Sequence, residues 1–147
     1  MIYPARHRSE TIPLCGRYSL VCIDDLGNRF RVHNSMIGAR SHFNISPGNE
    51  MPVIIHAAGK KGITVMEWGL VTYWRTDIRY ANRQINARAE TIAEKPAFHG
   101  LLDHHRCLVP ASGFFEWKNE GDRKVPFYVH LPAEPLFAFA GLYGCVG

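Results

Sequence analysis

The stretch SGFFEWKNEGDRKVPFYVHL, residues 112–131, decides the fold class. Phe114–Trp117 and Pro126–Leu131 are rich in the aromatic and β-branched residues that are enriched in strands. Between them, Asn119-Glu120-Gly121-Asp122 combines residue types that favour a tight turn. We therefore predict a β-hairpin at this place in the chain.

Strand-like segments extend from this hairpin in both directions. They are Arg17–Ile23, Arg29–His33, Pro52–Ala57, Ile63–Trp68, Arg106–Val109 and Leu136–Leu142. The best helix candidate is Ala89–His99, which Pro96 makes short or kinked because proline removes an N–H donor and clashes with the preceding turn. The pattern predicts a β-rich α+β domain, with a curled, barrel-like, mostly antiparallel sheet and few short helices.

Three further segments show no regular period. Residues 1–14 are polar and read as a loose N-terminal arm that precedes a domain over residues 15–147. Residues 43–51 carry asparagine, proline and glycine, which predicts a structured loop. Residues 72–88 are rich in arginine, asparagine and aromatic residues. A long irregular stretch inside a compact domain is often functional.

The composition is that of one globular domain. Of 147 residues, 46% are apolar and 20% are charged, which is ordinary for a folded chain with a core. The net charge of +4 and the pI of about 9.0 are compatible with a polyanionic partner. No run of about 18 apolar residues predicts a membrane span, and residues 1–14 lack the apolar core of a secretory signal. Cys15, Cys22, Cys107 and Cys145 show no C-x-x-C spacing and predict reduced thiols in the cytoplasm.

The segment Cys15-Gly16-Arg17-Tyr18 opens the first predicted strand. Glycine leaves the cysteine sterically accessible, and the neighbouring Arg17 favours the thiolate, which is the reactive form of a thiol. If Cys15 were the first residue of the mature chain, its α-amine and thiol could add to one aldehyde and close a thiazolidine ring. The same pair could cleave an amide as nucleophile and base. The alternative is a buried, inert cysteine.

Two tryptophans, Trp68 and Trp74, lie in a segment that also contains tyrosine and arginine. Such side chains can stack on nucleobases of any sequence. The alternative is packing in the core, which is the more common use of large aromatic residues. We expect core packing at Trp68 rather than at Trp74.

The segment Ile85-Asn86-Ala87-Arg88 carries a second polar group. In an extended chain Asn86 and Arg88 share a face, so Arg88 could clamp a phosphate while Asn86 holds a carbonyl or ring oxygen. Additional positive charge recurs upstream at Arg75, Arg79 and Arg83. The alternative is a helix that asparagine caps, with a row of solvent-facing arginines.

Glu116 lies among large apolar and aromatic neighbours in the hairpin. Partial desolvation would raise the pKa of its carboxyl group, which suits general acid–base catalysis. The alternative is an outward-facing residue paired with Lys118 or with a lysine of the neighbouring strand. The run from His104 to Cys107 has metal-ligand residue types but no second cluster, so we predict no metal site and no cofactor.

Six segments, taken together and in order, resemble the SOS response-associated peptidase (SRAP) family. They are CGRYSL (15–20), FNISPGNEMPVI (43–54), EWGLVTYW (67–74), INARAETIAEKPAF (85–98), RCLVPASGFFEWK (106–118) and FAGLY (139–143). The resemblance runs from Cys15 to about Tyr143. It implies an α+β fold with a β-barrel-like core and a positively charged cleft for single-stranded DNA.

The resemblance also implies a mechanism. The family's N-terminal cysteine, exposed when the initiator methionine is removed, crosslinks the ring-opened sugar of an abasic site. By motif, that cysteine is Cys15, the residue that holds the thiazolidine is Asn86, and the proton-transfer group is Glu116. A thiol autopeptidase activity, which removes the N-terminal residue, uses the same nucleophile.

The DNA contacts follow from the resemblance in the same way. Arg17 and Arg88 would contact phosphates, while Pro47, Trp68 and Trp74 would shape the cleft where the duplex is interrupted. The partner implied is single-stranded DNA with abasic sites, bound by a cytoplasmic monomer that associates with the nucleoid in a prokaryote.

Two departures from the family pattern bear on these expectations. Residues 1–14 precede the cysteine, so Cys15 has an amide nitrogen and cannot close a thiazolidine. Either the Leu14–Cys15 bond is cleaved, or translation starts at position 14, where a leucine codon such as TTG or CTG can encode an initiator methionine. The family's C-terminal histidine segment, of the H-x-R-M-P type, is also absent after the FAGLY strand, so we expect the domain to lack its C-terminal part.

Two other functions fit the same residues. A plain thiol hydrolase would use Cys15 to attack a peptide or amide carbonyl and would need neither an aldehyde nor DNA. A non-catalytic single-stranded DNA-binding module would bind with strong salt dependence and would form no bond that survives denaturation.

Overall fold

The computed structural model describes residues 2–3, 15–32, 40–70 and 84–144. The strands of these segments are β1 (Ile2–Tyr3), β2 (Arg17–Leu20), β3 (His42–Ile45), β4 (Glu50–Ala57), β5 (Lys60–Glu67), β6 (Ala87–Arg88), β7 (Arg106–Ala111), β8 (Gly113–Glu120), β9 (Arg123–Val129) and β10 (Phe137–Leu142). The helices are α1 (Leu26–Phe30) and three short 3₁₀ segments, Ile23–Asp25, Ile92–Glu94 and His99–Leu101. The prediction of a β-rich α+β domain is confirmed.

The hairpin predicted from residues 112–131 is formed by β8 and β9. The strands pair in antiparallel register from Phe114 opposite Val129 to Glu120 opposite Arg123. The reversal occurs at Gly121, whose φ of 61° is a left-handed conformation that glycine adopts without steric cost. The residue types of the turn therefore predicted the β8–β9 hairpin correctly.

The strands form two sheets. The larger has the order β5-β4-β7-β10-β1-β6, and the smaller has the order β3-β2-β8-β9. All neighbouring strands are antiparallel except β1 and β6, which are parallel. The curled sheet predicted from the sequence is thus a pair of sheets that do not close into a barrel.

The core lies between the two sheets. Aromatic rings bridge them, since Phe114 of β8 packs edge-on against Phe139 of β10 with ring centroids 5.7 Å apart. Buried side chains of both sheets surround this contact: Tyr18, Leu20, Ile45, Met51, Val53, Cys107, Val109 and Ala111. Burial of this apolar surface at about 25 cal/mol per Å² is the main stabilising contribution and fixes the ends of β2 and β8 relative to each other.

Two local predictions are wrong. The segment predicted as a strand over Arg29–His33 begins inside α1, because Leu26 is buried and the chain reverses at Arg31, which has a left-handed φ of 55°. The predicted helix Ala89–His99 is only two 3₁₀ turns. Pro96 forces the preceding Lys95 into an extended conformation, with ψ of 120°, and so ends the first turn.

Two segments predicted to be irregular contain short strands. In the predicted loop 43–51, His42–Ile45 forms β3 and Glu50 begins β4. At the start of the predicted N-terminal arm, Ile2–Tyr3 forms β1, which lies between β10 and β6. Of the stretch 72–88, only residues 84–88 are described. No helix in the described part of the chain has the length and hydropathy needed to cross a membrane.

Candidate functional site

Cys15 and Asn86 are in contact although 71 residues separate them. The Nδ2 of Asn86 donates a hydrogen bond of 2.8 Å to the backbone carbonyl of Cys15. Cys15 precedes β2, and Asn86 precedes β6, so each lies where a strand begins. The first and third of the polar segments singled out from the sequence therefore meet in space.

Glu116 lies next to this pair. Arg17 is the register partner of Phe115, so the next position along the two strands brings Gly16 opposite Glu116. The charge of Glu116 raises the pKa of the Cys15 thiol, a further sign that the two groups are close. Burial raises the pKa of the Glu116 carboxyl group, as predicted from its apolar neighbours.

Two oxygen atoms of the site have no partner among the described residues. They are Oδ1 of Asn86 and Oε2 of Glu116, and both are buried. Buried polar atoms are nearly always hydrogen-bonded, and the exceptions in a native fold are frequently functional. The Asn86 oxygen can accept a hydrogen bond, and the Glu116 carboxyl group can accept one or, when protonated, donate one, so both can bind a polar group.

Lys118 does not neutralise Glu116. Its Nζ lies 3.2 Å from Oε1 of Glu120 on the same strand. The alternative in which Glu116 pairs with Lys118 is therefore wrong, and the carboxyl group keeps the apolar surroundings that raise its pKa.

The Cys15 thiol is half-buried and protonated at neutral pH. Its Sγ donates a hydrogen bond of 3.4 Å to the carbonyl of Arg17. Burial raises the pKa of the thiol to about 11, and the charge of Glu116 adds to the effect. The prediction that Arg17 favours the thiolate is wrong, because the Arg17 guanidinium turns away to donate a 3.0 Å hydrogen bond to Oδ1 of Asn44.

Alkylation of Cys15 by iodoacetamide should be slow at neutral pH and should rise about tenfold per pH unit, because only the thiolate reacts, until the pH approaches its pKa of about 11. The control is the peptide of residues 14–20, whose thiol ionises near pH 8.5 as a free cysteine does. Peptide mass spectrometry measures the alkylation rate of Cys15 in the folded chain and in the control peptide. Identical pH profiles of the alkylation rate for the folded chain and the peptide would contradict the burial of the Cys15 thiol.

The same shift has a consequence for stability. The pKa of Cys15 is higher in the folded chain than in the unfolded one. Its contribution to the free energy of unfolding is therefore complete below the unfolded value and is lost as the pH rises toward about 11.

Arg17 and Arg88 are both exposed, and each lies two residues after a member of the Cys15–Asn86 contact. Arg17 opens β2 and Arg88 ends β6, so both guanidinium groups are available to an anionic ligand. Asn44, which orients Arg17, was not singled out from the sequence. The sequence signal for Asn44 was its position in the segment FNIS. Because successive side chains of a strand point to opposite faces, Asn44 lies on the face opposite to that of Phe43 and the buried Ile45.

Trp68 is part of the core, as expected for the first of the two tryptophans. Only 3% of its surface is exposed, and its ring packs edge-on against Tyr18 with centroids 5.5 Å apart. Its Nε1 donates a hydrogen bond of 3.2 Å to the carbonyl of Ile85, the residue before Asn86. Trp68 therefore holds the backbone that carries Asn86, a role that the sequence did not reveal.

Pro47 lies in the turn between β3 and β4. The adjacent Gly48 donates its N–H to the carbonyl of Trp68 over 2.8 Å, and the N–H of Trp68 donates to the carbonyl of Asn49 over 3.0 Å. The proline turn and Trp68 are thus one rigid unit. Trp74 and the arginines Arg75, Arg79 and Arg83 lie outside the described residues.

Two concave surfaces adjoin Asn86. One is a cavity of about 240 Å³ whose walls include Trp68, Gln84 and Cys107. The other is an open groove of about 440 Å³ along Arg88, Thr91 and Lys95. The groove is lined by two basic side chains, Arg88 and Lys95, and by one acidic side chain, Glu94. Within residues 2–3, 15–32, 40–70 and 84–144, no three His, Cys, Asp or Glu side chains are placed to hold a metal ion.

Comparison with known proteins identifies a family. Residues 14–147 match the model of the family described as SOS response associated peptidase (SRAP). The abasic site processing protein YoqW of Bacillus subtilis (strain 168) is 36% identical over 134 residues, covering 88% of this chain and 60% of YoqW. The abasic site processing protein YedK of Escherichia coli (strain K12) is 32% identical over 99 residues, covering 67% of this chain and 43% of YedK. The chain spans about 60% of the length of the Bacillus relative.

Solved structures share the fold. A protein from Bacteroides thetaiotaomicron superposes with a TM-score of 0.74 at 28% identity, covering 87% of this chain and 59% of that protein. A protein from Bordetella bronchiseptica superposes with a TM-score of 0.71 at 21% identity, covering 87% of this chain and 63% of that protein. The second likeness concerns the fold alone.

Proposed function

This chain belongs to the SOS response-associated peptidase (SRAP) family, and from that premise we propose that it captures abasic sites in single-stranded DNA. The capture is a covalent thiazolidine bond through Cys15, formed once this residue is the N-terminus of the mature chain. The names of the relatives, which describe abasic site processing, support the substrate class.

The contact between Asn86 and Cys15 carries the proposal. A hydrogen bond of 2.8 Å from Asn86 orients the backbone of the nucleophile. The amide oxygen of Asn86 then accepts a hydrogen bond from the thiazolidine N–H or from a sugar hydroxyl, which gives its buried Oδ1 a partner. An inert core cysteine has no use for such an arrangement.

The reaction proceeds through the amine. The α-amine of Cys15 adds to the C1′ aldehyde of the ring-opened sugar and forms a carbinolamine. Loss of the hydroxyl group as water leaves an iminium ion. The thiol then adds to the iminium carbon, and its proton departs. One water is released overall. This order fits a thiol whose pKa of about 11 keeps it protonated at neutral pH.

Glu116 is the proton-transfer group in this scheme. Because burial raises the pKa of its carboxyl group, a larger fraction is protonated near neutral pH. The acid donates a proton to the departing hydroxyl group. The resulting carboxylate accepts the thiol proton as the C–S bond forms, and the acid is regenerated. Proton transfer of this kind contributes roughly 10²- to 10⁴-fold to a rate.

The exposed arginines supply the DNA contacts. Arg17 and Arg88 flank the nucleophile and bind phosphates, which gives affinity without sequence preference. Pro47 and Trp68 shape the wall of the site, and we extend the same role to Trp74. We further propose a monomer that acts in the cytoplasm, at the nucleoid in a prokaryote, without a cofactor.

The amine of Cys15 must be freed before the reaction. One route is hydrolysis of the Leu14–Cys15 bond by the chain's own thiol, which consumes one water. The other is initiation at position 14 followed by removal of the initiator methionine. Both routes give the same mature chain, so mass spectrometry of the natively expressed protein distinguishes them by the precursor, which carries residues 1–14 in the first route and only an initiator methionine before Cys15 in the second. An intact N-terminal arm on active protein would contradict both.

The test of the proposed function uses the chain started at Cys15 after removal of an initiator methionine. It is mixed with single-stranded DNA that carries one abasic site, and with the same strand intact as control. We expect a band that survives heat and detergent with the abasic strand alone. An equally stable band with the intact strand, or cleavage of model peptides with no adduct, would favour another function.

A further inference from the structure

An exposed row of aromatic rings crosses the outer face of the smaller sheet. Arg17 on β2 is the register partner of Phe115 on β8, and Phe115 is the partner of Tyr128 on β9. The three side chains therefore point to the same face, which is opposite to that of Tyr18 and Phe114. Tyr128 is 45% exposed. We name Phe115, Tyr128 and His130 the aromatic face.

The Tyr128 ring is held in place from below. A Cβ atom at Gly113 would lie 2.2 Å from Cζ of Tyr128, so the ring lies directly on the glycine backbone. The hydroxyl groups of Tyr128 and Ser19 are hydrogen-bonded at 2.7 Å. A ring that is both fixed and exposed loses little conformational entropy when a ligand stacks on it.

The other rings extend this surface. Phe115 is tilted against Tyr128 with ring centroids 5.1 Å apart. The His130 ring is stacked with Tyr128 at 5.6 Å and an interplanar angle of 24°. Together the three rings form a continuous π surface across β8 and β9. No described residue covers this surface completely.

Positive charge flanks the aromatic face on two sides. Arg17 is exposed at one end, two strands from Tyr128, which corresponds to roughly 10 Å at the usual strand spacing. Lys124 is exposed further along β9, where its pairing with Asn119 puts it on the same side of the sheet as Tyr128. Aromatic rings between cations match a single strand of nucleic acid, which has bases with π faces and a phosphate backbone.

We infer that the aromatic face is a stacking platform for bases of the single-stranded DNA whose lesion reacts at Cys15. A phosphate binds at Arg17, and a base one or more positions away stacks on Tyr128. The inference rests on the proposed function, since it takes DNA as the partner. Because every base has a π face, the platform tolerates any sequence.

The charges argue against a second copy of the chain as the occupant. A symmetric dimer through this face would bring Arg17 and Lys124 against the equivalent cations of the other copy. Like charges in contact oppose association, whereas a polyanion neutralises them.

The experiment measures binding without crosslinking. The chain over residues 1–147, which keeps β1 in the larger sheet, is titrated into two fluorescein-labelled oligonucleotides of equal length, oligo(dT) and an oligomer of tetrahydrofuran spacers, which has the phosphates but no bases and no aldehyde. Fluorescence anisotropy gives the ratio of the two dissociation constants, which reports stacking apart from phosphate binding. We expect oligo(dT) to bind at least about tenfold more tightly.

The Tyr128→Leu variant should lower this ratio by about fivefold or more. The control is Phe43→Leu, which removes an exposed aromatic ring from β3, three strands from Tyr128 in the smaller sheet. It should leave the ratio unchanged. Tyr128→Phe retains the ring and should retain most of the ratio. His130→Leu removes an exposed ring, and it tests the platform even if Tyr128→Leu folds poorly.

The outcomes separate the platform from the proposed function. If the parent chain captures the abasic strand but neither Tyr128→Leu nor His130→Leu lowers the ratio, the platform is wrong and the proposed function stands. If Phe43→Leu lowers the ratio equally, the effect is not that of the aromatic face, and the platform is again wrong. If the chain binds no single-stranded DNA, both fail. Dimers in sedimentation that Tyr128→Leu abolishes would assign the face to a second copy.

Discussion

Replacing Cys15 with alanine, in a chain started at that position, is expected to abolish the adduct that survives denaturation. The thiazolidine needs Sγ to close its ring, and no other atom of an alanine can form that bond. The α-amine remains, so the variant should still form a reversible imine that borohydride traps. Affinity for intact single-stranded DNA should be nearly unchanged, because in the proposed function Arg17 and Arg88, rather than Cys15, bind the phosphates. Denaturing gels with and without borohydride measure both species.

The control for this substitution is Cys22→Ala. Cys22 is also a free, half-buried cysteine, and it packs against the same core, but no contact connects it with Asn86 among the described residues. Its replacement should leave the adduct intact. A denaturation-stable adduct in the Cys15→Ala variant without borohydride would transfer the chemistry to another group of the chain.

The Glu116→Gln variant should form the adduct roughly 10²- to 10⁴-fold more slowly. Glutamine has nearly the shape of glutamic acid but cannot donate and recover a proton. Stability should be unchanged or slightly higher. Burial raises the pKa of this carboxyl group, so the folded chain disfavours ionised Glu116. The contribution of protonated Glu116 to the free energy of unfolding is therefore lost as the pH rises through the raised pKa. The glutamine carries no such ionisation.

Single-turnover crosslinking rates measured against pH test this role. The parent chain should show a bell-shaped profile, since the α-amine must be neutral and Glu116 must be protonated. The glutamine variant should lose the alkaline limb. The matched control is Glu120→Gln on the same strand, which removes an exposed carboxylate paired with Lys118. A rate for Glu116→Gln equal to that of Glu120→Gln would remove Glu116 from the mechanism.

Local patterns predicted those elements that depend on neighbours in sequence. The β8–β9 hairpin forms where Gly121 supplies its left-handed turn, and the strand-like segments Pro52–Ala57 and Ile63–Trp68 correspond to β4 and β5. Prediction failed where distant packing or one proline outweighed propensity. Buried Leu26 begins α1, which includes Arg29 and Phe30 of the predicted strand Arg29–His33, and Pro96 divides the predicted helix over Ala89–His99.

The candidate site, like the fold, was predictable from the sequence only in part. Motifs named Cys15, Asn86 and Glu116 because their residue types and order resemble those of the SRAP family. Their contacts could not be read from spacing, because the hydrogen bond from Asn86 to Cys15 spans 71 residues. The anchoring of the Asn86 backbone by Trp68 is equally non-local. A motif predicts which groups are present, whereas sheet order and register determine which of them meet.

By itself, the sequence determined most of the longer strands, the hairpin turn and which candidate groups are present, since these follow from side-chain chemistry and the torsional preferences of adjacent residues. Only the tertiary structure decided the protonation of Cys15, since its pKa depends on burial and on the charge of Glu116. It also decided that Arg17 orients toward Asn44 rather than toward the thiol. Desolvation and charge–charge interactions depend on distance in space, and a linear pattern does not contain that distance.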